Sequence, residues 1–237
     1  MFTPVKRIYQ LMTDPYLITD DQTGIEAITL WQTQLFITQN PYHNLLKEAL
    51  IRLIYQDVGT EGSDQIKSDV AVTAKKHLME SELDFLDQPD ADVQTLNVYL
   101  SELINMIATE LNQPFWPDDA ESETTLIESW YHVTRHGGYH DIHSHPNCSW
   151  CGIYYLQSDG TDFDERSGIN RFYDPRTNAD HFLDAGASYL NANGILDIEP
   201  AEGQVVIFPS YLMHSALPYF GEQDRIVIAF NARVDLV

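Results

Sequence analysis

The spacing of apolar residues changes near the middle of this 237-residue chain, and the change limits the folds that it can adopt. Before residue 120, apolar residues recur every three or four positions, which is the spacing of a buried helix face. From about residue 125 they alternate or form short runs, as they do in strands. Helices followed by strands favour an α+β fold.

Two helices are predicted in the first half. Asn40 is a cap residue followed by a first-turn proline, so it predicts the start of the first helix, and Gly59 predicts its end. The second helix is predicted from near Asp92 to Pro114. Its apolar residues share one stripe that we expect to face the core: Val93, Leu96, Leu100, Leu103, Ile104, Ile107 and Leu111.

The second half is predicted to form short strands separated by Gly, Asn, Asp and Pro. The predicted strands are 126–133, 150–157, 169–174, 187–190, 195–198, 204–209 and 225–234. Strands of this kind favour a double-stranded β-helix, or jelly roll. We therefore predict a single domain, in which a mostly helical part, residues 1–120, braces a jelly-roll core formed by residues 121–237.

The histidines are unevenly distributed, because five of the nine lie between residues 131 and 145. His143 and His145 are two residues apart, so on an extended strand their imidazoles project from one face. His214 lies near the end of a later strand-like run. Imidazole is the commonest metal ligand in proteins, and the sequence therefore predicts a metal site formed by His143, His145 and His214.

Composition excludes several classes of function. The net charge of −23 disfavours binding to nucleic acid. No apolar run is long enough for a membrane span, and the N-terminus lacks the apolar stretch of a signal peptide, so we expect a cytoplasmic protein. Cys148 and Cys151 form a single C-x-x-C motif, which we expect to hold buried thiols on a strand.

Several motifs of the second half occur in a particular order. They are His-Ser-His-Pro from His143, Tyr-Tyr-Leu ending at Leu156, Phe-Pro-Ser-x-x-x-His ending at His214, and Arg-x-x-x-x-Phe-Asn from Arg225. This order resembles the iron(II)/2-oxoglutarate-dependent oxygenases, in their prolyl-hydroxylase-like branch. The resemblance is closest to a group of uncharacterised 2OG-Fe(II) oxygenases with an H-x-H, H and R motif, and it covers residues 126–234.

The resemblance implies that His143, His145 and His214 bind Fe(II). The sequence departs from most of the superfamily, in which the second ligand is Asp or Glu rather than a histidine. A neutral imidazole in that position raises the formal charge of the iron centre by one unit. Asp141 has the same strand parity as His143, so a ligand set of Asp141, His143 and His214 is the alternative.

The resemblance also implies a site for the co-substrate 2-oxoglutarate. Arg225 would pair with its distal carboxylate, to which a planar guanidinium is well matched, and Tyr155 would donate to the same carboxylate. Tyr131 is expected to face the pocket. Asn231 is expected to lie on the same strand face as Arg225, near the iron-bound groups.

The implied activity is that of a dioxygenase that uses Fe(II), 2-oxoglutarate and O2. It would hydroxylate a small molecule or a protein side chain and release succinate and CO2. One alternative is a three-histidine dioxygenase that does not use 2-oxoglutarate. The other is a non-catalytic jelly-roll protein with a structural or binding role, because a fold by itself does not specify a function.

Overall fold

The computed structural model describes residues 32–61, 75–176, 185 and 194–237. Within these ranges the chain forms two α-helices, α1 (His43–Glu61) and α2 (Ala91–Asn112). The strands are β1 (Phe36–Gln39), β2 (Lys75–Glu80), β3 (Ser122–His143), β4 (Trp150–Gln157), β5 (Asn170–Tyr173), β6 (Ile195–Ile198), β7 (Gln204–Pro209), β8 (His214–Ala216) and β9 (Arg225–Leu236). The strand predicted at 187–190 lies outside the described residues.

Helix α2 begins and ends where its sequence predicts. The side chain of Asp90 caps it by accepting hydrogen bonds from the backbone N–H groups of Asp92 and Val93. A 3-10 turn at Gln113–Phe115, which contains Pro114, follows its last residue. Five of the seven stripe residues are buried, Leu103 and Leu111 are partly buried against the core, and α1 buries Leu46, Leu50 and Ile54 against the same core.

The strands form one antiparallel sheet that curls over itself. The strand order is β1-β7-β4-β9-β3-β8-β5-β6, and β2 also pairs with β3. Strands β5 and β7 are far apart in this order, yet the rings of Phe172 and Phe208 contact each other with centroids 4.9 Å apart. The sheet must therefore fold back on itself near β3, which confirms the jelly roll.

Both faces of the central strands are buried. On β4, Trp150, Tyr154 and Leu156 pack towards the helices. The alternate residues Cys151 and Tyr155 pack inside the roll, together with side chains of β5, β6, β7 and β9. This double burial explains why residues 150–156 read as a continuous apolar run rather than as an alternating one.

The first half of the chain also contributes strands that the sequence did not predict. Strand β1 pairs with β7, and β2 pairs with β3. Strand β2 is interrupted by a register shift next to His77, whose φ is 46°, and this shift hides its pattern. The division of the domain at residue 120 stays a prediction.

Neither α1 nor α2 combines the length and the apolar character that a membrane-crossing helix needs, and the described residues form no other candidate.

Packing between β4 and β9 predicts how one glycine contributes to stability. Gly152 pairs with Phe230, and a Cβ added at residue 152 would overlap the phenyl ring. We expect Gly152→Ala to lower the free energy of unfolding by about 1–3 kcal/mol, since overpacked cores cost that much. Phe230→Ala should cost about 3–5 kcal/mol. Urea unfolding of each variant measures both values.

The double variant is the control. Because Phe230→Ala removes the atoms that the new Cβ would meet, the double variant should be about as stable as Phe230→Ala alone. If the two losses of unfolding free energy were additive instead, the Phe230 ring would not be the reason that residue 152 must be glycine.

Candidate metal centre

Three histidines converge at one end of the roll. His143 is the last residue of β3, His145 follows two residues later, and His214 begins β8. His143 and His214 are register partners across the two strands. Each of the three offers a ligand atom, and these atoms all lie within 4.8 Å of one another. The structure thus brings together the three histidines that the sequence singled out.

A β-bulge places these side chains. His140 pairs with Ala216 and His143 pairs with His214, so three steps along β3 match two along β8. The extra residue reverses the alternation of side chains. As a result His140 and His143 both line the same cavity, and their rings stack with centroids 3.9 Å apart.

Backbone carbonyls fix the orientation of two of the imidazoles. The Nδ1 of His214 lies 3.0 Å from the carbonyl oxygen of Leu212, and the Nδ1 of His143 lies 2.8 Å from that of Asp141. A carbonyl oxygen only accepts, so Nδ1 carries the proton in both rings. In the neutral ring the lone pair is then on Nε2, which is the arrangement that metal-bound histidines use.

His214 is also held in its neutral form. Its side chain is buried, and this desolvation, together with the neighbouring His143, lowers the pKa of His214 well below its usual value. A neutral imidazole is the form that binds a metal ion. The donor set therefore suits a divalent transition metal.

Arg225 lies in the wall of the same cavity. Its side chain is 2% exposed, and its Nη2 donates to Oδ1 of Asn170 at 2.6 Å. Within the part of the chain that the structure describes, the buried Nε has no hydrogen-bond partner. Among the residues that the structure describes, no carboxylate pairs with this guanidinium.

Burial lowers the pKa of Arg225, but a guanidinium stays charged in proteins. A buried charge without a counter-charge is costly. Within the described residues, the Arg225 guanidinium therefore lacks a counter-charge.

Tyr155 and Asn170 hold Arg225 in place. The guanidinium lies over the Tyr155 ring, with Cζ 5.6 Å from the ring centroid. The Tyr155 hydroxyl donates to Oδ1 of Asn170 at 3.0 Å, so this oxygen accepts from both residues. Full burial raises the pKa of Tyr155 above its usual value, which keeps the hydroxyl protonated.

Asn170 is a site residue that the sequence reasoning missed. It lines the cavity, is buried, and connects Arg225 to Tyr155. The only signal in the sequence is one amide in a short strand that also contains Arg171, Phe172 and Tyr173. That signal is too common to identify a site.

Asn231 is buried on β9, on the same face as Arg225 as expected. It accepts a hydrogen bond from the Cys151 thiol at 3.2 Å, and its Nδ2 donates to Glu128 at 2.6 Å. Cys151 lines the cavity, so Asn231 adjoins the cavity through this residue.

Tyr131 does not face the cavity, and that expectation is corrected. It pairs with Ile228 on the side of the sheet that packs against the helices. There its ring packs against Phe85, and its hydroxyl donates to Asp57 at 2.8 Å. The neighbouring residues Trp130 and His132 line the cavity instead. The bulge near His140 reverses which face of the sheet alternate side chains point to. Tyr131 therefore lies on the opposite face from His143, although the two are an even number of residues apart.

Asp141 lies away from the histidines' ligand atoms. Its side chain is exposed, and Oδ1 accepts a hydrogen bond from the backbone N–H of Ile142. The group of ligand atoms within 4.8 Å contains His145 and not Asp141.

Comparison with protein families matches residues 128–231 to the family described as "Putative 2OG-Fe(II) oxygenase". A search of curated protein sequences gives no significant match.

Similar folds occur among solved structures. A prolyl-4-hydroxylase from Pseudomonas putida is 11% identical with a TM-score of 0.53, covering 85% of this chain and 93% of that one. HygX from Streptomyces hygroscopicus, solved with nickel and 2-oxoglutarate, is 12% identical with a TM-score of 0.53, covering 85% and 83%. A prolyl hydroxylase from Trichoplax adhaerens, solved with a peptide fragment of hypoxia inducible factor, is 15% identical with a TM-score of 0.52, covering 83% of each chain.

At these identities the structures establish the jelly-roll fold and nothing further. The family assignment comes from the sequence match, which spans β4, β5, β6, β7 and β8 with most of β3 and β9. Residues 128–231, which include the three histidines and Arg225, therefore match the sequence model of a 2OG-Fe(II) oxygenase family.

Proposed function

We propose that His143, His145 and His214 bind Fe(II), and that Arg225 binds the distal carboxylate of 2-oxoglutarate. The protein would be a dioxygenase that hydroxylates a small molecule or a protein side chain, with release of succinate and CO2. The observation that carries this proposal is the buried, unbalanced charge of Arg225 in the cavity that the three histidines also line.

Charge explains why this cavity suits 2-oxoglutarate. Three neutral imidazoles leave both positive charges of a divalent ion uncompensated, and Arg225 adds a third positive charge. A dicarboxylate with a keto-acid group at one end would meet the metal at that end and the guanidinium at the other. Binding of the dianion would supply the counter-charge that Arg225 lacks within the described residues.

The chain's own residues orient the co-substrate and exclude water. Asn170 and Tyr155 keep the guanidinium in one position, so less freedom is lost when a carboxylate binds. The walls between Arg225 and the histidines are apolar and include Ile153, Phe208 and Val227. When bound, Fe(II) would supply the centre at which O2 is activated while 2-oxoglutarate is decarboxylated.

The solved relatives support two substrate classes. HygX has been solved with nickel, 2-oxoglutarate and hygromycin B, and the Trichoplax enzyme with a peptide. The proposed substrate is therefore either a small molecule or a protein side chain. The net charge of −23 favours neutral or basic substrates and disfavours nucleic acid. We also propose a cytoplasmic location, to which the two free cysteines are suited.

The all-histidine donor set favours one second candidate. A three-histidine dioxygenase would use the same metal centre without 2-oxoglutarate. In that case Arg225 would bind an anionic group of the substrate itself. Dependence of turnover on 2-oxoglutarate separates the two functions.

The first test reconstitutes the metal-free protein with Fe(II) and 2-oxoglutarate in the absence of oxygen. We expect a visible charge-transfer band, and succinate formation once air is admitted. His214→Ala should lose the band because metal binding is lost. Arg225→Ala should keep the metal but weaken 2-oxoglutarate binding by about 30-fold or more, since it removes one partner of a buried charge pair.

Arg233→Ala is the matched control, because Arg233 lies on the same strand but is 60% exposed and pairs with Asp235. It should behave like the wild type. If wild-type protein binds iron but gives neither the band nor succinate, the use of 2-oxoglutarate is wrong. If it does not bind iron, the metal site is wrong as well.

A second prediction concerns the position of the Arg225 side chain. Asn170→Asp would replace the accepting amide with a carboxylate 2.6 Å from the guanidinium. This internal ion pair would satisfy Arg225 and compete with 2-oxoglutarate. We expect the KM for 2-oxoglutarate to rise by about 10-fold or more, while metal affinity stays close to that of the wild type.

Asn170→Ser serves as the neutral control and should raise KM less. Equal KM values for the aspartate and serine variants would contradict the proposed competition for Arg225.

A further inference from the structure

The C-x-x-C motif lies beside the metal centre and has no part in the proposed reaction. Cys148 precedes β4 and is half-buried, whereas Cys151 lies on β4, is 2% exposed and lines the cavity. Their sulfur atoms are 3.5 Å apart. Both cysteines are free thiols in the structure.

The two sulfur atoms are close enough to bond after a small movement. A disulfide requires about 2.05 Å between the sulfurs, so they must approach by about 1.5 Å. Rotation of the half-buried Cys148 side chain can supply such a movement, and the loop that holds it precedes β4.

We propose that Cys148 and Cys151 are a redox modification site, at which small disulfides such as glutathione disulfide form a reversible intramolecular disulfide. In the first step the Cys148 thiolate attacks one sulfur of glutathione disulfide. A mixed disulfide forms, and one glutathione leaves as its thiolate. In the second step the Cys151 sulfur attacks the Cys148 sulfur, and the Cys151 proton passes to the departing glutathione thiolate. The protein disulfide forms and the second glutathione leaves, so two protein thiols are oxidised and one glutathione disulfide is reduced.

The surroundings of the pair assign these two roles. Cys148 is the accessible thiol, because its side chain is only half-buried and it lies in the loop before β4. Cys151 is 2% exposed and lies behind it, so a dissolved disulfide meets Cys148 first. Cys148 is therefore the attacking group, and Cys151 is the group that resolves the mixed disulfide.

Oxidation would alter the metal centre through existing hydrogen bonds. Loss of the Cys151 proton removes the hydrogen bond to Asn231. The carbonyl of Cys148 accepts from the Ser210 hydroxyl at 2.6 Å, and the backbone N–H of His145 donates to the Ser210 carbonyl at 3.0 Å. The Cys148 thiol also donates directly to the His145 carbonyl at 3.9 Å, and disulfide formation would remove this hydrogen bond beside the metal ligand. Changes to groups that support metal ligands typically cost 10- to 100-fold in metal affinity.

The test equilibrates the full chain with glutathione buffers of increasing oxidised fraction under nitrogen, followed by acid quenching, alkylation and mass spectrometry. We expect a species lighter by two hydrogens, with the crosslink inside the peptide that contains both cysteines, and full reversal by dithiothreitol. Two thiols that remain alkylatable in excess glutathione disulfide would overturn the proposal. So would crosslinks only between chains.

Two variants test the order of attack without measuring turnover. Cys151→Ser should accumulate a glutathione adduct on Cys148, because the resolving thiol is missing. Cys148→Ser should remain unmodified, because Cys151 is buried. Equal modification of both variants would contradict the assigned roles.

A third arm measures nickel(II) affinity of the reduced and oxidised wild type, with the double serine variant as the control. We expect oxidation to weaken nickel binding by about 10-fold in the wild type only. Equal affinities would contradict the coupling to the metal centre. None of these measurements depends on catalysis, so a failure of the proposed oxygenase function would be seen separately.

Discussion

The pairing of β3 with β8 is the interaction on which the site depends. It places His143 directly opposite His214, and the chain segment after β3 then brings His145 to the same point. The bulge between His140 and His143 is part of this arrangement, because without the extra residue His143 would face the other side of the sheet. The curl of the sheet near β3 encloses the histidines beneath β5 and β7, where Phe172 and Phe208 contact His214.

Alternation along β9 separates stability from function. Ile226, Ile228 and Phe230 pack towards the helices, whereas Arg225 and Asn231 lie inside the roll. Burial of the apolar residues that face the helices stabilises the strand. This stabilisation offsets the cost of Arg225 on the other face, whose charge has no counter-charge within the described residues. Asn170 lowers the cost of that cation by accepting one of its hydrogen bonds, and the Nε of the guanidinium has no partner within the described residues.

Much of the fold could be predicted from the sequence, because long amphipathic segments carry their own signal. Helix α2 and strands β4, β6 and β7 lie where their spacing indicated. Strands β1, β2 and β8 were missed because they are short or interrupted, and they are specified by their partners rather than by their own pattern. The three histidines, which the structure brings together, were singled out by their spacing, whereas Arg225 was proposed from the family resemblance. Tyr131 was assigned to the wrong face because a bulge cannot be read from the spacing of residues. Asn170 was missed because a single amide forms no recognisable pattern.

In the proposed site, a metal bound by three histidines and a carboxylate bound by Arg225 share one cavity. A crystal structure of the full chain with nickel(II) and an unreactive keto-acid analogue of 2-oxoglutarate tests it most directly. We expect metal bonds from His143, His145 and His214, and we expect the distal carboxylate of the analogue to contact Arg225. A metal bound elsewhere, or an analogue that leaves the Arg225 guanidinium without contact, would contradict it.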